Sequence, residues 1–161
     1  MNDNYETEIG GLLGDLAEVQ TALLGTLSEK RLLLAAGNHE ALSAMAGREQ
    51  ELATRLQACH ERRQALLSRA ADEGEPADSI QALSERLPTA GRNRVQASIR
   101  ETAHRTKLLQ HQSLANWVLV QRSLLHLSQL IEIIATGGRP QPTYGKGSER
   151  QNCGALVDRA A

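Results

Sequence analysis

The stretch from Leu108 to Tyr144 constrains this chain more than any other. It opens Leu-Leu-Gln-His-Gln-Ser-Leu-Ala-Asn-Trp-Val-Leu-Val and continues through Leu124, Leu125, Leu127, Leu130, Ile131, Ile133 and Ile134 to a stop at Gly137-Gly138. Pro140, Pro142 and Tyr144 lie beyond. At the ~100° advance of each helical residue, Trp117, Leu119, Val120, Leu124, Leu127, Leu130, Ile131 and Ile134 share one arc roughly 160° wide. That is broader than the seam of a two-stranded coiled coil. Leu114, Val118 and Leu125 form a second, narrower stripe, set apart by Arg122 and Gln129 on one side and Gln121 and Ser128 on the other. One helix therefore presents two apolar surfaces, and each needs a cover.

The rest of the chain favours more helices. Its 161 residues suit one domain, its apolar content is 40%, and only 2% of residues are aromatic, with no Phe. The apolar residues are mostly Leu and Ala, strong helix formers whose narrow core layers suit long helices packed side by side. The expected fold is all-α: an elongated antiparallel bundle of three long helices plus one short helix, with a flexible C-terminal tail. Residues 1–138 form the helical domain in this reading, and 139–161 the tail.

The charge pattern argues against several partner classes. A net charge of −1 provides no overall field toward nucleic acid or an anionic membrane. Arg86, Arg92, Arg94, Arg100, Arg105 and Lys107 make the middle basic, but no aromatic interleaves to stack on bases, so they read as a solvated helix face. The chain opens with Asp3, Glu6 and Glu8, and no uncharged apolar run approaches the ~20 residues that span a bilayer. A cytoplasmic protein without membrane insertion is expected. Cys59, in a helical pattern, and Cys153, in a polar tail, read as reduced thiols.

In chain order, Asp3 and Glu6 resemble a capping box that opens a first helix. Leu12, Leu16, Val19, Leu23 and Leu27 line one face of it, and Gly37 ends it. Gly10, Gly11, Gly14 and Gly25 weaken it by up to about 1 kcal/mol each, so its N-terminal turns are expected to fray unless packing holds them. Asn38 caps a second helix with Glu40 in its first turn. Its seam alternates Leu42, Glu49, Leu56, Arg63 and Ala70 with Met45, Leu52, Cys59 and Leu66, and the two charges read as register devices. Ala71 to Asp78 reads as a linker, and Asp78 as the cap of a short helix bearing Ile80, Leu83 and Leu87 that Pro88 ends. The last helix runs from about Thr89 to Thr136 and is mostly polar in its first half. Gly37-Asn38 folds the first two helices into an antiparallel hairpin, and the last packs back along it.

Reactive constellations are sparse. Glu101 and His104 have the Glu-x-x-His spacing of di-iron bundles, but no second copy exists, so the pair reads as helix support. Cys59 and His60 point about 100° apart on a helix and cannot act together unaided. No glycine-rich phosphate loop occurs. The expectation is no catalytic, metal or cofactor site. The apolar excess of the last helix instead suggests a client-binding surface of Leu114, Trp117, Val118, Val120, Leu124, Leu125, Leu127, Ile131 and Ile134 that takes an amphipathic helix from a client's terminus.

The order of features resembles the FlgN family of flagellar type III export chaperones, from about Leu12 to Ala160. The resemblance rests on Ser28-Glu29-Lys30-Arg31 followed by Leu-Leu-Leu-Ala-Ala-Gly-Asn, on Glu49-Gln50-Glu51-Leu52, and on Asn116-Trp117 ahead of the leucine-rich helix. Thr143-Tyr144-Gly145-Lys146-Gly147 and a Gly-Ala-Leu-Val-Asp-Arg-Ala end complete it. It implies a non-enzymatic cytoplasmic chaperone that holds hook-associated, hook-filament junction proteins export-competent and delivers them to the export gate. It also implies that Tyr144 docks on the gate's cytoplasmic domain. By composition alone, Tyr144 reads equally as a ring laid over the helices. The residues leave open a structural coiled-coil adaptor that only self-associates, a homodimer, a nucleic-acid partner for the basic middle, and which stripe is internal.

Overall fold

The computed structural model describes residues 2–137, with side chains from Asn4 onward. The helices are α1 Asn2–Ala36, α2 His39–Ala44, α3 Ala46–Asp72, α4 Ile80–Ser84 and α5 Thr89–Thr136, and no strand occurs among the described residues. The fold is all-α, with three long helices and two short ones. The tail expected over 139–161 lies outside the described residues, with the boundary expected at 138.

Glycine ends each long helix by the same means. Gly37, Gly74 and Gly137 follow α1, α3 and α5 with φ of 65°, 74° and 62°, a left-handed backbone that only glycine adopts without a Cβ penalty. At α1, Gly37 N–H donates to Leu34 O and Asn38 N–H to Leu33 O, the paired bonds of a Schellman motif. Gly74 to Ala71 and Glu75 to Ala70 repeat it, so α3 extends through Asp72 and the linker starts later than Ala71. Asn38 caps α2 as expected, its side chain accepting from Ala41 N–H at 3.1 Å.

Four local expectations change. Asp3 lies inside α1, which begins at Asn2, so it is not the cap. The N-terminal turns are pinned, because Tyr5 and Ile9 are buried and Tyr5 Oη donates to Glu73 Oε2 at 2.7 Å. The helix expected from Asn38 onward is split at Met45, which is buried and closes α2 while opening α3. Ser79 rather than Asp78 caps α4, its hydroxyl accepting from Ala82 N–H at 3.0 Å, and α4 ends at Ser84, before Leu87.

Contacts group the chain into two units, 1–116 and 117–161. In the first, α1 and α3 run antiparallel. Arg69 pairs with Glu8, Arg62 with Asp15 at 2.6 Å, Arg55 with Glu18 at 2.7 Å, Arg48 with Glu29 at 3.1 Å and Glu49 with Lys30 at 2.7 Å. One number falls as the other rises. Solvent-facing pairs of this kind are worth about 0–1 kcal/mol each, so the ladder specifies register more than it adds stability. Against α5 the numbers rise together, as in a parallel pair. Arg94 meets Glu6 at 2.7 Å, Gln20 Nε2 donates to Thr102 O at 3.3 Å and Thr106 Oγ1 at 3.0 Å, and Asn116 Nδ2 donates to Leu27 O at 2.9 Å.

Apolar packing concentrates at one end of this unit. Tyr5, Ile9, Leu12, Leu13, Leu66, Ile80, Leu83, Leu87 and Val95 belong to one buried cluster. In the α3 seam Met45, Leu52, Cys59 and Leu66 are buried seven residues apart, whereas of the second column only Ala70 is. Burial raises the Cys59 thiol's pKa, which keeps it a packing residue. The α1–α5 seam is instead polar: Gln20, Thr26 and Asn116 are buried in or beside it.

Candidate functional site

The second half of α5 forms the site candidate. In the second unit, Leu119 and Val120 are half-buried, and every residue from Gln121 to Ala135 is exposed. Trp117 is 59% exposed, Leu125 63% and Ile131 65%; Val118, Leu124, Leu127 and Ile134 are exposed as well. Leu114, in the first unit, is also exposed. From Gln121 to Ala135, neither stripe is covered by the described residues.

Polar groups here serve the helix itself: Ser123 Oγ donates to Leu119 O at 3.0 Å and Thr136 Oγ1 to Glu132 O at 2.7 Å. Ile133, exposed and on neither stripe, is a further large apolar side chain that face-by-face reading passed over. Leu130, which belongs to the wide arc but not to the expected client set, is exposed as well.

An 18-residue window of α5 has a mean hydropathy of 1.3, which by length and composition alone is enough to cross a membrane. Arg122 and Glu132 interrupt this segment, and an ionised group in hydrocarbon is costly.

Tyr144 lies outside the described residues. Among the described residues, no three His, Cys, Asp or Glu side chains cluster with metal-binding geometry. Glu101 pairs with Arg105, one helical turn on, rather than supporting the helix through His104.

The fold thus defines an all-α protein with an uncovered, two-sided apolar helix surface. The chain belongs to the FlgN family, whose model, described as FlgN protein, matches residues 1–152; this is a family of flagellar export chaperones. No curated protein and no solved structure matches the chain.

Proposed function

We propose that this protein is a cytoplasmic flagellar chaperone that binds hook-filament junction proteins, prevents their premature assembly and hands them to the export gate. The observation that carries the reading is the unbroken exposure of Gln121 to Ala135, with Leu124, Leu125, Leu127, Ile131 and Ile134 in one segment. Large contiguous apolar surface marks a partner site. Its 3.6-residue periodicity suits an amphipathic helix from a client's terminus, packed along α5. Trp117 supplies an aromatic anchor of the kind enriched at binding hot spots. Delivery is assigned to Tyr144, between Thr143 and Gly145 and beyond two prolines, as a tyrosine that docks on the gate's cytoplasmic domain.

Leu125→Glu and Leu127→Glu test the two stripes separately. Both positions are exposed, so helix content and solubility should hold while affinity for a purified junction protein falls at least about tenfold in each. Retained affinity in both variants refutes the reading. Self-association that these variants abolish, with no junction-protein binding by the parent chain, identifies a coiled-coil adaptor instead. Tyr144→Ala should lower binding to the gate's cytoplasmic domain with client affinity unchanged; normal gate binding removes that assignment.

A further inference from the structure

The first unit carries an apolar opening of its own. A groove of about 780 Å³ has α1 residues Leu12 and Leu16 as its floor, Leu56 and Arg63 of α3 on one wall, and Ile99 and Ala103 of α5 on the other. It exists because α4 is short. Ile80 and Leu83 of α4 are buried in the core cluster, and α4 has only five residues, so its side of the core is covered for little more than one turn. Ile80 lines the end of the groove, which remains open along one side. From Ala53 to Arg63 the α3 wall runs about 15 Å, the length of three helical turns.

The charges around it narrow the occupant. Arg63 lines the groove, and among the described residues it has no ion-pair partner. On α5, Arg100 and Lys107 stand three residues before and four after Ala103, a spacing that puts them along the same wall, and neither has an ion pair among the described residues. On the α5 wall itself the one carboxylate, Glu101, is engaged by Arg105. A second copy of the chain would offer the helix from Trp117 to Ala135, whose charges, Arg122 and Glu132, cancel. We propose that this groove is a second docking site, which takes a three-turn amphipathic helix with an acidic edge from a protein partner. The apolar face of that helix replaces water over Leu12, Leu16 and Ile99, and its carboxylates meet Arg63 and Lys107.

The probe is a fluorescein-labelled peptide of about 14 residues with leucines at helical spacing and glutamates along one edge, paired with a twin carrying lysines there. Fluorescence anisotropy against the full chain should show the glutamate peptide binding at least about tenfold more tightly than its twin. Arg63→Glu should remove that preference. Ala103→Trp, at an exposed position where the larger ring fills the groove, should abolish binding, and Leu125→Glu should leave it intact. Equal binding of the two peptides, binding of neither, or loss in Leu125→Glu overturns the proposal. So does an Ala103→Trp variant that dissociates a dimer of the chain, since a second copy would then be the occupant.

Discussion

Tyr5 ties the start of α1 to the end of α3. Its hydroxyl donates to Glu73, and the Arg69 guanidinium lies 5.3 Å from its ring centroid. Burial and the Glu73 carboxylate push the phenol's pKa above its usual 10.0, with Arg69 pulling the other way. A folded-state pKa above the unfolded one means the stabilisation is complete below about pH 10 and is lost as pH rises through the folded value. Urea unfolding should therefore show parent stability declining above about pH 10 relative to Tyr5→Phe, and Tyr5→Phe should be about 1 kcal/mol less stable near pH 8. A pH-independent difference would mean the hydroxyl is not coupled to Glu73. Thr102 poses a different problem, since its Oγ1 is buried and has no hydrogen-bond partner among the described residues. Thr102→Val keeps the shape and removes the orphaned hydroxyl, and should be neutral or stabilising by up to about 1 kcal/mol in the same assay.

Among the elements, α1 is held by packing more than by its own propensity. It runs unbroken through Gly14 and Gly25, and a Cβ at either position would meet open space. Gly14→Ala and Gly25→Ala should each raise the unfolding free energy by about 0.5–1 kcal/mol, read from urea midpoints. Gly11 and Gly91 are different, because a Cβ there would stand 3.0 Å from the Arg62 guanidinium and would collide with the Glu6 carboxylate, respectively. In α5 the element-scale reporter is Trp117, the chain's sole tryptophan. Being 59% exposed, it should emit as a solvated indole and be quenched readily by acrylamide. A saturating junction protein should shift the emission blue and protect it; unchanged quenching would place the client elsewhere.

At the scale of the molecule, stability is divided unevenly. The first unit has its core cluster and the α1–α3 ion-pair ladder, whereas no residue from Gln121 to Ala135 is buried. Local opening is least costly where few apolar contacts are broken. Hydrogen exchange should accordingly be fastest, among the described helices, over Gln121 to Ala135 and slowest around Ile9 to Val19 and Leu52 to Leu66. Client binding should slow the former without altering the latter.

Much of this organisation is local chemistry and was legible in the sequence. Helical periodicity with left-handed glycines at Gly37 and Gly137 bounded α1 and α5, and Asn38 marked the α2 start, because caps and turns depend on a few neighbouring residues. The apolar stripes of α5 were visible for the same reason. Which surfaces are covered is a matter of distant partners. Leu56 and Arg63 occupy a regular seam column yet border an open groove, while Tyr5, outside the Leu12 to Leu27 pattern, is core. The seven-residue repeat of α3 could not distinguish its buried column from its open one, nor could the width of the α5 stripe report what covers it. Periodicity gives the direction a side chain faces; only tertiary packing decides whether another helix stands there.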